Sequence, residues 1–248
     1  MSDGNQRTED IWLVLPTYDE RSNIERIVAA ALDALPSGSH VLIVDDGSPD
    51  GTGEIADRLA AADEQVAVLH RPRKEGLGPA YVAGFGEALR RGASLIAHMD
   101  ADFSHDPADL PRLLEAVESA DVVLGSRYVP GGGVTDWGLV RRAISRGGSI
   151  YARTMLGIDV RDLTGGFKVI RREVLEAIQI DTLASLGYVF QVETTYRAIQ
   201  AGFRVVEVPI VFRDRRAGQS KMSRAIVFEA AWRVPAMRLR SRRARVVA

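Results

Sequence analysis

The sequence has no cysteine at all. That excludes disulfides, thiolate metal sites and a cysteine nucleophile, and it fits a reducing compartment. There is no run of about 18 uncharged apolar residues, so no bilayer-spanning segment is expected. Residues 1–10 are polar and lack an apolar stretch, so no secretory signal is expected either. The net charge of −1 excludes a nucleic-acid binder that works by bulk electrostatics. What remains is an ordinary globular composition over 248 residues, 46% hydrophobic and 26% charged, enough for one α/β domain with a sizeable core.

Apolar runs alternate with helical patterns. Strands are expected at 11–15, 41–44, 66–69, 94–99 and 121–124, and helices at 23–35, 52–59, 78–91 and 107–117. Asp50 or Thr52 is expected to cap the second helix. In the third helix, Tyr81, Val82, Phe85 and Leu89 face inward. This β-α-β-α order predicts a mostly parallel sheet covered by helices, with ligands beyond the carboxyl ends of the strands. After residue 127 the alternation loosens. Gly131-Gly132-Gly133 reads as a flexible loop, 141–156 and 189–200 as helices, and 205–211 as an edge strand because it contains Pro209. One domain is expected over 11–222, preceded by a disordered 1–10 and followed by an amphipathic, basic extension over 223–248.

Polar residues gather at three strand ends. Asp100-Ala101-Asp102 follows the fourth strand, and i and i+2 share a side of extended chain. Paired carboxylates repel unless a cation or a shared proton intervenes. Hard divalent ions reach proteins through one or two carboxylates plus substrate phosphates, which points to Mg²⁺ or Mn²⁺ and a nucleotide-diphosphate substrate. Asp46, after the second strand, is suited to accept from a base N–H or a ribose hydroxyl, with Asp50 free to serve the following turn. Pro16-Thr17-Tyr18-Asp19-Glu20 closes the first strand. Tyr18 offers a ring for a base, although by itself this segment is better explained as an ordinary strand-to-helix turn with Glu20 near a helix N-terminus. Arg71 to Gly78 is neither a dinucleotide fingerprint, since the third glycine position is Tyr81, nor a phosphate-binding P-loop, since no Gly-Lys-Ser/Thr occurs. It reads only as a basic turn near the substrate.

The second half carries Arg127, Arg141, Arg142, Arg213, Arg215, Arg216 and Lys221. As a cluster opposite a metal-binding half they suit phosphate groups, because Arg forks them and Lys supplies a point charge. His98 reads as a core histidine and His105 as a neighbour of the acidic pair. Glu193 is either near the site or a buried acid paired with an Arg. In the extension, Ile226, Val227, Ala230, Ala231, Val234, Met237 and Leu239 give one apolar face, with Trp232 nearby. No acid follows Glu229, whereas Arg233, Arg238, Arg240, Arg242, Arg243 and Arg245 do. This is the pattern of an interfacial helix attracted to anionic lipid, with a docked terminal helix plus a tail as the alternative. No aromatic residues interleave these arginines as single-stranded RNA binding would favour.

These residues occur in an order that resembles one family. Val14 to Glu20, Val44-Asp45-Asp46-Gly47-Ser48-Pro49-Asp50-Gly51-Thr52, Gly76-Leu77-Gly78-Pro79-Ala80-Tyr81, Met99 to Asp102, Gly125-Ser126-Arg127-Tyr128, Thr164-Gly165-Gly166-Phe167-Lys168 and Gly218-Gln219-Ser220-Lys221 are similar to the motifs of polyprenol (dolichyl) phosphate mannose synthases. These are inverting glycosyltransferases of the GT-A fold, and the resemblance covers about residues 11–222. It implies transfer of mannose from GDP-mannose to a polyprenyl phosphate. It further implies that Pro16, Tyr18, Glu20, Val44 and Asp46 hold the guanosine. Asp100, Ala101 and Asp102 then hold metal and diphosphate, and Arg127, Arg141, Arg215 and Lys221 face the phosphates of donor and acceptor. Asp102, Arg127, Arg215 and Lys221 are the expected catalytic set. Where many relatives carry Gln, this chain has Ser104, whose shorter side chain reaches the metal through water. The chain lacks the C-terminal transmembrane helices of some relatives, so membrane access is expected through the basic extension or a membrane-embedded partner subunit, peripherally on the cytoplasmic face. A sister transferase using UDP-glucose or another donor, and a non-catalytic membrane-associated scaffold, are the alternatives; intact Asp46, Asp100, Asp102 and Lys221 argue against the second.

Overall fold

The apolar runs form strands because they can be buried on both faces. The computed structural model describes residues 9–183, 187–214 and 232–239. In chain order the elements are β1 (Ile11–Thr17), α1 (Ile24–Ala34), β2 (His40–Asp45), α2 (Thr52–Ala62), β3 (Val66–His70), α3 (Leu77–Arg90) and β4 (Leu95–His98). Then come α4 (Leu110–Ala116), β5 (Val122–Ser126), β6 (Gly133–Val134), α5 (Leu139–Leu156), β7 (Lys168–Arg171), α6 (Arg172–Ala177), α7 (Gly187–Gln200), β8 (Val205–Pro209) and β9 (Val211–Phe212). A last helix, α8, covers 232–239.

Seven strands make one sheet in the order β3-β2-β1-β4-β7-β5-β8, and β6 pairs with β9 beside it. Alternate residues of β1 serve opposite faces. Trp12 and Val14 join α3, α5, α6 and α7 in one core, while Leu13 and Leu15 join α1, α2 and α4 in the other. Among the described residues no helix is long and apolar enough to cross a membrane.

The second half departs from the expected pattern in several places. The sheet is mixed, because β7 runs antiparallel to both β4 and β5, pairing His98 with Lys168 on one side and Leu124 with Lys168 on the other. The expected strand 205–211 divides. Pro209 ends β8, which is the edge strand, and Val211 and Phe212 pair with β6. The glycine run is not a loose loop. Gly133 is in β6, and a Cβ on Gly132 would lie 2.4 Å from the Ser126 carbonyl oxygen, so only glycine lets the chain pass there. The helix expected from 107 begins as a 3₁₀ turn over Pro107–Asp109, and α5 starts at Leu139 rather than Arg141. The N-cap position of α2 is Gly51, and Asp50 acts one residue earlier, accepting from the Thr52 amide at 3.0 Å and its hydroxyl at 2.6 Å. Pro16 lies within β1, opposite Val44; β4 pairs only as far as Val14, so the proline is tolerated where β1 has one neighbour.

Candidate active site

The parallel strands bring their carboxyl ends to one edge, and the acids of the sequence motifs follow from it. After β2, the two aspartates divide the work. Asp45 is buried and holds its own turn, accepting from the Ser48 hydroxyl at 2.6 Å and the Ser48 amide at 3.2 Å. Asp46 instead meets Arg71, whose Nη1 donates to it at 2.5 Å. Burial raises the Asp46 pKa and the neighbouring Asp45 adds to this; Arg71 opposes both without cancelling them. Arg71 thus gives the basic turn a definite task that its sequence did not disclose.

Around the β1 end, Glu20 accepts from Asn23 at 2.8 Å and its amide donates to the Thr52 hydroxyl at 3.0 Å, which ties the two turns together. The Lys74 ammonium lies 3.7 Å from the centroid of the Tyr18 ring. Val44 is fully buried in the core, so its side chain has no surface to offer a base; Pro16 is half-buried.

Asp100, Ala101 and Asp102 follow β4 after Met99, with Ala101 and Asp102 buried and the Asp100 side chain 24% exposed. Asp102 accepts from the Ser104 amide at 3.0 Å, in a turn where Phe103 adopts a left-handed φ of 61°. A bulky residue in that region signals local strain of the kind that collects at functional sites. The Ser104 hydroxyl is buried and has no hydrogen-bond partner. His105 Nδ1 accepts from the Asp100 amide at 3.2 Å, and burial, with Arg127 assisting, lowers its pKa to about 4 against the pull of Asp102. It is therefore a neutral orienting group for the acidic loop.

The oxygen-only set of Asp100, Asp102 and the orphaned Ser104 hydroxyl fits a hard ion such as Mg²⁺ or Mn²⁺. Among the described residues no group of three His, Cys, Asp or Glu side chains could hold a metal. An ion here would complete its shell with diphosphate oxygens and water, as Mg²⁺ commonly does.

The arginines are placed differently from one another. Arg127, at the end of β5, is buried and forked onto Asp162, with Nε and Nη2 both donating at 2.7 Å and its amide donating at 2.9 Å. It also donates to Thr164 at 2.8 Å and stacks within 5.7 Å of Trp137 and 5.5 Å of Phe212. Burial would raise the Asp162 pKa, but the guanidinium outweighs it and holds the carboxyl low. Arg141 on α5 donates to Asp214 at 2.8 Å and lies 4.2 Å over the Trp137 ring. Arg215 and Lys221 lie outside the described residues. Asp214, the last described residue before them, is tied to Arg141, and the Arg213 amide donates to the Ser104 carbonyl at 3.0 Å, so residues 213–214 lie beside the acidic loop. Glu193 pairs with Arg197 at 2.6 Å, one of its two expected readings.

Asp162 was not among the expected residues. Asp162 stands two residues before Thr164-Gly165-Gly166, a position that an acid facing a buried arginine would mark.

Comparison with known proteins agrees with this geometry. Residues 12–179 match the description "Glycosyl transferase family 2". The chain is 50% identical over 237 residues to a polyprenol monophosphomannose synthase of Mycolicibacterium smegmatis, covering 95% of this chain and 89% of that protein. It is 51% identical over 217 residues to an undecaprenyl-phosphate mannosyltransferase of Micrococcus luteus, covering 88% and 89% respectively. Among solved structures, glucosyl-3-phosphoglycerate synthase of Mycobacterium tuberculosis, in complex with Mn²⁺, uridine diphosphate and glucosyl-3-phosphoglycerate, superposes with a TM-score of 0.66 at 18% identity, over 94% of this chain and 80% of that one. A second structure of that enzyme, with Mg²⁺ and uridine diphosphate, gives a TM-score of 0.65 at 19% identity, over 94% and 79%. At that identity the likeness establishes the fold, the mostly parallel GT-A arrangement expected from the motifs. With the family match spanning residues 12–179 and half the residues shared with two mannosyltransferases, the chain belongs to glycosyl transferase family 2 and is a glycosyltransferase.

Proposed function

We propose that this enzyme transfers mannose from GDP-mannose to a polyprenyl phosphate, giving polyprenyl phosphate mannose and GDP with inversion at the anomeric carbon. The observation that carries the reading is the 50% identity, across 95% of the chain, to a polyprenol monophosphomannose synthase. A phosphate oxygen of the acceptor forms the new bond to the anomeric carbon, and the bond from that carbon to the donor diphosphate breaks, its electron pair leaving with GDP. Asp46, with Tyr18 and Glu20, borders the guanosine site. Asp100 and Asp102, helped by Ser104, would hold Mg²⁺ or Mn²⁺, which offsets charge on the leaving diphosphate. Arg141, Arg215 and Lys221 hold the acceptor phosphate, and Arg127, forked on Asp162, stiffens the wall beside it. No side chain needs to act as a base, because a monophosphate with a second pKa of about 6 is already largely ionised at neutral pH.

The acceptor is a membrane lipid, and α5 supports a membrane surface as its setting. Leu139, Val140, Ile144 and Ile150 are exposed on it, and no acid occurs between Asp136 and Asp159, whereas Arg141, Arg142, Arg146 and Arg153 do. Exposed apolar residues with arginines and no acids suit an anionic leaflet. The expected extension 223–248 falls mostly outside the described residues. Within it, α8 buries Val234, and Arg238 donates to the Met155 carbonyl at 2.6 Å, while Trp232 and Leu239 are exposed. Peripheral attachment at the cytoplasmic face, alone or through a membrane-embedded partner, belongs to the same proposal.

The test is transfer of radiolabelled mannose from GDP-mannose to a short polyprenyl phosphate, with and without Mg²⁺ or Mn²⁺, with UDP-glucose as the parallel donor. Metal-dependent, solvent-extractable label from GDP-mannose alone is expected. Label from UDP-glucose instead would overturn the donor assignment, and failure to bind either donor would favour the scaffold.

A further inference from the structure

We infer that Gln191 and the space beside Gly166 form a subsite for one hydroxyl of the transferred sugar. This rests on the glycosyl-transfer reading above and adds to it a recognition element that the strand-end acids do not supply. Gln191, in the first half of α7, is 1% exposed, and neither its amide nitrogen nor its amide oxygen has a hydrogen-bond partner. A carboxamide offers two donors and an acceptor, and leaving all of them buried and unpaired is costly. Such groups call for an explanation, and an absent ligand is one.

The residue is not adrift. The Lys168 ammonium, buried on β7, donates to the Gln191 main-chain carbonyl at 2.8 Å and to the Thr195 hydroxyl at 2.9 Å. That fixes the turn of α7 carrying Gln191 against the strand paired with β4. The side chain therefore faces a defined place. A Cβ built on Gly166 would lie 3.9 Å from Gln191 Nε2, 3.6 Å from Asp100 Oδ1 and 3.5 Å from His105 Cε1. Glycine thus leaves a methyl-sized space walled by an amide donor on one side and a carboxylate acceptor on the other.

The walls select the occupant by chemistry. A hydroxyl donates to the carboxylate and accepts from the amide at once. An apolar group would leave the buried amide unsatisfied, and a cation would meet its N–H. Because Asp100 also borders the proposed diphosphate site, the hydroxyl nearest to hand belongs to the sugar joined to that diphosphate, not to the lipid.

The experiment compares kcat/KM for GDP-mannose and its four monodeoxy sugar analogues in the wild type, Gln191→Leu and Gly166→Ala. The alanine methyl meets its neighbours at ordinary contact distances, so Gly166→Ala keeps the fold while filling the space; it carries the test if Gln191→Leu does not fold. The wild type is expected to reject one deoxy donor by at least about 100-fold, as sites built around a buried hydroxyl partner do. Both variants should lose that discrimination for the same analogue alone, with GDP-mannose falling towards the deoxy value. Variants that slow all donors equally, or a wild type indifferent to every deoxy position, would overturn the subsite. A wild type that transfers from no donor would instead overturn the reading of the reaction on which it rests.

Discussion

The two ends of this active site handle charge in opposite ways. On the β1–β4 side, acids stand at strand ends, and each is held by groups close by in the sequence or at the adjoining strand end: Asp45 by Ser48, Asp102 by the Ser104 amide, Asp46 by Arg71. On the β5–α7 side, cations meet partners far along the chain. Arg127 takes Asp162, Arg141 takes Asp214, and Lys168 is buried against α7. α5, which carries Arg141, buries only Ser149, Ala152 and Leu156, whereas Leu139 and Val140 are 83% and 73% exposed. The first region presents anions at the edge of a rigid sheet, where the proposed reaction would place a metal and a nucleotide. The second holds part of its positive charge rigid and turns the rest, with apolar residues, outward. A soluble donor and a lipid acceptor would need that division.

The contrast can be broken at its strongest point first. Asp102→Ala is expected to remove the metal-dependent part of turnover, a loss of at least about 100-fold in kcat, with a stability loss limited to the Ser104 amide's lost acceptor, about 1–3 kcal/mol. Activity unaltered across a Mg²⁺ and Mn²⁺ titration would remove the metal from the acidic side.

Asp162→Asn tests the cationic side. It leaves the buried Arg127 guanidinium without its counter-charge, which costs about 3–5 kcal/mol. Urea melts should show this loss in stability, whereas for Asp102→Ala the larger effect should be on rate.

A third prediction concerns pH. Burial lowers the Lys168 pKa from 10.5 to about 7, with Asp162 opposing. The unfolded chain therefore binds more protons than the folded one between those values, and stability contributed by this site rises with pH through that window and is lowest below it. Lys168→Met should flatten the rise, so the wild type gains on the variant by at most about 1.4 kcal/mol per pH unit between pH 7 and 10.5. Parallel stability curves for the two proteins would show that the ammonium is not the group responsible.

The smallest effect on stability, within about 0.5 kcal/mol, is expected for Leu139→Ser, Val140→Ser and Ile144→Ser combined. Sedimentation with phosphatidylglycerol vesicles should nonetheless fall at least about tenfold, with phosphatidylcholine vesicles as the weak-binding reference. A large drop in stability with unchanged sedimentation would mean that this face is covered by protein instead of lipid.

The first half was legible because its signals are local. An apolar run, a turn and an acid within five residues specify where a carboxylate will stand once strands are parallel, and β1 to β4 appear where the pattern puts them. The runs failed as guides where pairing partners lie far apart. Nothing local marks Lys168–Arg171 as running antiparallel to β4 and β5, since a strand of that length takes its direction from its neighbours. Pro209 signalled an edge correctly but also ended the strand, because the next residues found β6 instead. Arg127 looked like any exposed phosphate-binding arginine, and only the return of Asp162 beside it shows that its guanidinium is already forked.

By itself the sequence determined the alternation of strands and helices in the first half, the mostly parallel sheet they make and the three strand ends at which polar residues gather, since these follow from side-chain period and chain continuity. The tertiary structure alone decided which charges are buried in pairs, which helix face stays outside and which amide is left without a partner. Those outcomes depend on groups brought together from distant parts of the chain, where desolvation, not spacing, sets the cost.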